Sequence, residues 1–118
     1  MWQRIGVVTF AAAMFAGICR AEEVWQALSG DAATEALSGR SLVYPNGIQQ
    51  TFFFDGRTTY DSGHLETGRW RIDGAQYCSQ WPPSDIWTCY GLERSADGTS
   101  VRFTAPGGEI TIGKYFSD

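Results

Sequence analysis

The 118-residue chain carries 9 lysines and arginines against 13 aspartates and glutamates, for a net charge of −4, and 43% of its residues are hydrophobic. This length predicts one small domain, and the acidic balance argues against a nucleic-acid-binding protein, which needs a basic surface. The same balance argues against attachment to an anionic membrane surface.

Residues 1–21 have the pattern of a cleaved secretory signal. Arg4 supplies the positive start, Ile5–Ile18 is apolar and uncharged, and small residues stand at Cys19 and Ala21 before a cleavage site after Ala21. The apolar run is shorter than the ~20 residues that a membrane span needs. We therefore predict a periplasmic or secreted protein with no transmembrane segment after cleavage. A retained anchor and lipidation of Cys19 are the alternatives.

Cleavage leaves a chain of 97 residues that begins at Glu22. Arg4 and Arg20 leave with the signal, so 7 basic residues face 13 acidic ones and the net charge becomes −6. Two cysteines remain, Cys78 and Cys89, and an even pair in an exported chain predicts a disulfide. A loop this short is worth roughly 3 kcal/mol of stability in the chain-entropy account.

Residues 22–39 are predicted to be an N-terminal extension with one short helix. Asp31 is placed to cap a helix from about Ala32 to Ser38, and Gly39 follows as a stop signal.

Residues 40–118 show period-two alternation interrupted by tight turns. Asp-Gly pairs at 55–56, 73–74 and 97–98 are strong hairpin signals, because a type I′ turn needs positive φ. Eight strands are predicted, in the segments RSLVYP, GIQQTFFF, RTTYDS, HLETGRWRI, AQYCSQW, IWTCYGLER, SVRFTA and EITIGKYF.

The predicted fold is mainly β: a small antiparallel up-and-down meander of about eight strands with one short N-terminal helix. An open meander exposes two edges, so a closed or nearly closed barrel is favoured over a two-layer sandwich or a curved open sheet. Leu28 and Leu37 are expected to cover one barrel end. The predicted inward-facing residues are Trp70, Ile72, Val101, Phe103, Ile110 and Ile112.

Two arginines on one strand, Arg69 and Arg71, are predicted to share the outward face. Cross-strand ion pairing with Glu66, Asp73 or Glu93 is expected for them, and a small anion-binding strip is the alternative.

No catalytic constellation is visible in the sequence. His64 is the one histidine, near Asp61 and Glu66, and is expected to be an exposed turn residue rather than a general base. No second histidine or free cysteine cluster accompanies it, so we predict no metal and no cofactor. The protein is predicted not to be an enzyme.

The segment CSQWPPSDIWTC, from Cys78 to Cys89, is predicted to be a cross-linked hairpin. Its tip carries the candidate binding residues Trp81, Pro82, Pro83, Asp85 and Trp87. Tryptophans present large amphipathic surfaces that anchor interfaces, and a protein or a glycan would be a natural partner. The alternative is a structural clasp, in which the two tryptophans stack on each other or on the prolines.

The segments GRSLVY, FFFDGRTTY and GRWRIDGAQYCSQWPPSDIWTC resemble a group of small exported proteins of alpha-type and related proteobacteria. That resemblance implies export and adds no catalytic residue. The GRW segment, Gly68 to Trp70, is similar to the Gly-x-Trp of lipocalin-like barrels in architecture only, and small periplasmic inhibitor barrels are similar in size and export.

The leading functional hypothesis is a non-enzymatic periplasmic or secreted binding or inhibitory module that recognises its partner through the aromatic hairpin. The alternatives are a structural or envelope-associated protein that self-associates, and a barrel that binds a small apolar ligand. The last of these needs a hollow interior, which the many aromatic side chains are expected to fill.

Overall fold

The computed structural model describes residues 23–116, so the predicted signal at 1–21 lies outside the described residues. Nine strands and one helix are formed in the described part of the chain. In chain order they are β1 (Trp25–Ala27), α1 (Gly30–Leu37), β2 (Arg40–Val43), β3 (Gln49–Phe52), β4 (Arg57–Asp61), β5 (Leu65–Asp73), β6 (Gln76–Gln80), β7 (Trp87–Ser95), β8 (Ser100–Thr104) and β9 (Ile110–Tyr115).

Strands β2 to β9 form a closed antiparallel barrel. Each strand pairs with the next along the chain, and β9 returns to pair with β2. This seam is short, with only Leu42 opposite Tyr115 and Val43 opposite Lys114. The predicted eight-stranded up-and-down barrel is therefore confirmed, and closure removes most of the free edges that an open meander would expose.

The predicted Asp-Gly hairpins are formed between β3 and β4, β5 and β6, and β7 and β8. In the first, Gly56 has a φ of +93°, which a residue with a Cβ rarely adopts. The Asp55 carboxylate accepts hydrogen bonds from the Arg57 backbone N–H at 3.0 Å and from Arg57 Nε at 2.9 Å. The dipeptide thus supplies both the positive φ and the acceptor that fix this turn.

The short strand β1 was not predicted. It lies beside the second half of β7, with Trp25 opposite Ser95 and Ala27 opposite Glu93, on the edge that β6 leaves uncovered. Trp25 lies under the guanidinium of Arg102, 4.6 Å from ring centroid to Cζ. Three residues are too few to show an alternating pattern, so the sequence carries no strand signal here.

Helix α1 covers one end of the barrel, as predicted. Ala33 and Leu37 are fully buried, and Leu28 packs against the same core. The Tyr115 hydroxyl donates a 2.7 Å hydrogen bond to the Ala36 carbonyl and so ties β9 to the helix. The helix begins at Gly30, two residues earlier than predicted. Asp31, the predicted cap, therefore lies in the first turn.

The barrel interior next to the helix is filled by aromatic and aliphatic side chains. Phe52 is fully buried at its centre, with its ring 5.6 Å from Trp70 and 5.7 Å from Tyr77 in edge-to-face contacts. Val101 and Phe103 are buried as predicted, and Ile72 packs against the core. The predicted inward face is therefore correct on β5 and β8.

On β9 the predicted inward face is wrong. Ile110 and Ile112 are 56% and 37% exposed on the outer surface, while Gly113 is buried. A Cβ on Gly113 would lie 2.8 Å from Tyr44 Cε1 and 3.1 Å from Leu42 Cβ. The close approach of β2 at the seam thus requires a residue without a side chain, and this places the two isoleucines outside.

Candidate functional site

The end of the barrel opposite α1 is open and contains a cavity of about 330 Å³. The loops that follow β2, β4, β6 and β8 surround it. Its lining is rich in tyrosine and also contains polar groups. The lining residues are Tyr44, Gln50, Tyr60, Glu66, Tyr77, Ser79, Trp81, Tyr90, Phe103 and Thr111. We call this space the mouth cavity.

Trp81 is part of the mouth cavity wall. It follows β6, in which Tyr77 and Ser79 face inward, and the same two-residue alternation carries Trp81 inward. Its indole Nε1 donates a 3.2 Å hydrogen bond to Ser79 Oγ. Its ring lies edge-to-face with Tyr60, with 5.9 Å between ring centroids.

Gly68 makes room for the Trp81 ring. A Cβ placed on Gly68 would lie 2.6 Å from Trp81 Cε3 and 2.6 Å from the Gln80 carbonyl oxygen. The glycine of the GRW segment therefore leaves an inward gap on β5, and the indole occupies that gap.

Trp87 points in the opposite direction. It is the first residue of β7 and lies on the outer face, where the Arg71 guanidinium stands 4.2 Å from the centre of its ring. The predicted carboxylate pairing of Arg71 is therefore wrong. The ion pairs in residues 23–116 are Arg57–Asp55 and Arg102–Glu93. A guanidinium stacks well on an indole, and this explains Trp87 as an outer-wall contact.

The tip of the hairpin between the two tryptophans is exposed. Pro82, Pro83 and Asp85 are all solvent-accessible, and Ile86 is 69% exposed. The five predicted binding residues thus lie in three places: Trp81 in the mouth cavity, Trp87 on the outer wall, and the other three at the tip. No stacking between the two tryptophans occurs, because they face opposite sides of the barrel wall.

The predicted Cys78–Cys89 disulfide is formed. The two residues are directly opposite each other on β6 and β7, with 4.0 Å between their Cα atoms, and Cys78 is fully buried. The disulfide lies on the outer side of the hairpin, since Tyr77 and Tyr90, the neighbouring pair, face the interior. It holds together the two strands that carry Trp81 and Trp87.

The floor of the mouth cavity is a hydrogen-bonded network around Gln50. The Tyr44 hydroxyl donates to Gln50 Oε1 at 2.6 Å. Gln50 Nε2 donates to Thr58 Oγ1 at 3.0 Å and to the Tyr77 hydroxyl oxygen at 3.2 Å. Both ends of the amide are therefore engaged, as a buried glutamine requires.

The two tyrosines of this network are held in the neutral form. Burial raises the pKa of Tyr77 to about 12, although hydrogen bonds with Ser79 and Gln50 lower it in part. Burial also raises the pKa of Tyr44 far above its ordinary value, and the neighbouring Tyr77 adds to this effect. The cavity floor is therefore uncharged at physiological pH.

Of the residues that line the mouth cavity, the sequence predicts Trp81 as a binding residue and Phe103 as an inward-facing one, and it predicts no site role for the others. Gln50, Glu66 and the tyrosines come from separate strands, and only barrel closure brings them to one end. A usable signal was present on β3 and β4, where Gln50 and Tyr60 occupy the inward positions of the alternation. His64 is an exposed residue of the loop between β4 and β5. Within residues 23–116 no cluster of three His, Cys, Asp or Glu side chains is arranged to hold a metal ion.

No protein-family model, no curated protein and no solved structure matches this chain. The resemblance to exported proteobacterial proteins stays a prediction. In the part of the chain that the structure describes, no helix has the length and apolar character needed to cross a membrane.

Proposed function

We propose that the protein is a non-enzymatic, exported binding module that holds a small ligand in the mouth cavity. The observation that carries this proposal is the open, tyrosine-rich space of about 330 Å³ with Trp81 in its wall. Ligand pockets have volumes of about 300–1,000 Å³ and favour the mouths of β-barrels. The ligand is therefore small.

The division of the barrel into two halves supports this proposal. Phe52, Trp70 and Leu37 fill the half next to α1, so the core that stabilises the fold does not need the space at the other end. The mouth combines aromatic surfaces with a few polar groups, which is the usual composition of a ligand site. The ligand predicted from this lining is partly polar, unlike the purely apolar ligand considered from the sequence.

Two neighbouring residues of β9 provide a matched test. Thr111 lines the mouth cavity, and Ile112 lies on the outer surface. A Thr111→Trp variant would fill the mouth, whereas Ile112→Trp adds the same ring outside. Compounds from a small-molecule library that bind the full chain in native mass spectrometry should be lost from the first variant and retained by the second.

A second pair tests the role of the indole. Trp81→Leu should weaken the binding of the same compounds, and Trp87→Leu should leave them bound. Far-UV circular dichroism checks that both variants are folded. Retention of every compound by both Thr111→Trp and Trp81→Leu would contradict binding in the mouth.

A second candidate function rests on the exposed tip of the hairpin, where we propose contact with a protein or glycan. The exposure of Pro82 and Pro83 and the 69% exposure of Ile86 favour it. Ile86→Ser should reduce recovery of a partner from periplasmic extract, whereas Ile110→Ser, an exposed apolar residue on β9, should not. Equal recovery of the partner with both variants would contradict this candidate function.

A further inference from the structure

The charge in the mouth cavity has one sign. Glu66 is the single charged residue among those that line it, and it lies directly opposite Tyr60 in the β4–β5 pairing. The rings of Tyr60 and Trp81, which contact each other edge to face, line the same cavity. The negative faces of aromatic rings attract cations, and a carboxylate nearby adds to that attraction.

Most arginines in the described part of the chain stand over aromatic rings outside the mouth cavity. In residues 23–116, five guanidiniums stand over aromatic rings, and none of these rings lines the mouth cavity. The pairs are Arg40 and Arg94 on Tyr115, Arg57 on Phe53, Arg71 on Trp87, and Arg102 on Trp25. Within the described residues, the mouth rings therefore have no cationic side chain stacked on them, although they belong to the residue types that this protein pairs with cations elsewhere.

The amide and indole N–H donors on the floor and wall are already used. Both hydrogens of Gln50 Nε2 go to Thr58 and Tyr77, and the Tyr44 hydroxyl donates to Gln50. The one N–H of the Trp81 indole goes to Ser79. The donors that remain are neutral hydroxyls, so a carboxylate or phosphate entering the cavity would meet the negative charge of Glu66 and no cationic side chain in the lining. The site therefore disfavours anions and offers ring faces and oxygen lone pairs to a ligand.

We infer that the mouth cavity binds a small organic cation, either a protonated amine or a quaternary ammonium, with its charged head among the aromatic rings and beside Glu66. This inference rests on the proposed function, since it names the class of ligand held in the same cavity. Glu66 provides the opposite charge, and the aromatic rings of the mouth cavity provide the surface that desolvates the cation.

Choline and 3,3-dimethylbutan-1-ol test this inference, because they have the same shape and differ in charge. Isothermal titration of the full chain should show choline bound at least tenfold more tightly than its neutral analogue, within the range that desolvated cation–π contacts supply. Glu66→Gln should weaken choline binding roughly twofold to fivefold, the effect of one exposed charge pair, and leave binding of the neutral analogue unchanged.

The matched control is Glu35→Gln on α1, which removes the same charge at the closed end and should leave choline binding unchanged. Tyr60→Phe, which keeps a ring, should bind choline, and Tyr60→Leu should bind it more weakly. A thermal melt of each variant checks that it is folded.

Equal binding of choline and the neutral analogue would overturn the cation inference, as would tighter binding of butyrate or of a neutral hexose. Those results would leave ligand binding in the mouth intact. The inference is also overturned if none of these probes binds. The Thr111→Trp and Ile112→Trp comparison then decides separately whether the mouth holds another ligand.

Discussion

Gly68 and Trp81 share one position in the wall of the barrel: the glycine on β5 lacks a side chain, and the indole from the end of β6 lies where that side chain would be. The contact is close enough that even one methyl group on Gly68 would meet both the indole and a backbone carbonyl. The shape of the mouth cavity thus depends on a residue that the sequence presents only as part of a short Gly-x-Trp segment.

Gly68→Ala is expected to move Trp81 and to destabilise the fold. Forcing a methyl group into a packed site costs about 1–3 kcal/mol, and the Gln80 carbonyl cannot rotate away as a flexible side chain would. Urea denaturation and the tryptophan emission maximum measure the two effects. Gly91→Ala is the control, because a Cβ there meets Thr104 at an ordinary 3.7 Å. A loss of stability no larger than that of Gly91→Ala would contradict the assigned packing.

Replacing both Cys78 and Cys89 by alanine is expected to lower the free energy of unfolding by about 2–3 kcal/mol, because the unfolded chain regains the freedom of a short loop. Urea denaturation of the double variant measures this loss, and the wild-type protein with reductant should show a similar one. The barrel should still form, since the β6–β7 pairing has five registered residue pairs of its own. An unchanged unfolding midpoint in reductant would contradict a stabilising role.

Stability is expected to fall at alkaline pH because of the buried tyrosines. The pKa of Tyr77 is raised to about 12 in the folded protein. A raised pKa means that the neutral phenol stabilises the fold fully below the ordinary tyrosine pKa of about 10, and that this stability is lost as the pH rises through the folded value. Ultraviolet absorbance of tyrosinate, recorded with circular dichroism, should show the last tyrosines ionising together with unfolding. Ionisation of every tyrosine near the ordinary pKa in folded protein would contradict their burial.

Acid is expected to destabilise the fold through protonation of Asp97. Its carboxylate accepts hydrogen bonds from the Ser95 hydroxyl at 2.7 Å, the Thr99 hydroxyl at 2.8 Å and the Thr99 backbone N–H at 3.1 Å, and these lower its pKa in the fold, the Ser95 contact most. The resulting stability is present above the unfolded pKa and is lost as the pH falls through the folded one.

Asp97→Asn is therefore expected to be less stable than the wild type at neutral pH and to approach it in acid. Thermal melts across an acidic pH series measure this difference. Asp85→Asn, in the exposed hairpin tip, serves as the control and should parallel the wild type throughout. A constant gap between Asp97→Asn and the wild type at every pH would contradict the linkage.

The strands and hairpins could be predicted because their signals are local. Asp55-Gly56 fixes a turn within four residues, and the alternation around Trp70 and Val101 shows which face is buried. The inward face of β9 could not be predicted, because it depends on how closely β2 approaches Gly113 at the seam. The opposite directions of Trp81 and Trp87 were equally inaccessible, since the loop between them interrupts the alternation that would relate one strand to the other.

The lining of the mouth cavity was harder still to predict from the sequence. Gln50, Glu66 and Tyr90 are far apart along the chain, and none of them belongs to a motif. Their meeting depends on the closed topology, in which every second loop lies at the same end of the barrel. A tyrosine or glutamine at an inward position near a strand end is also an ordinary feature of many half-buried strands.

The short β2–β9 seam has a consequence for the order in which the chain folds. Seven of the strand pairings in the described part join strands that are consecutive along the sequence. The β2–β9 pairing instead joins Leu42 to Tyr115, which are separated by most of the barrel sequence. Loop-closure entropy opposes such distant contacts until nearer ones have shortened the path between them. Hairpin by hairpin, the meander brings the two ends of the barrel together. The two-residue β2–β9 pairing then forms last and closes the curved sheet into a barrel with a cavity.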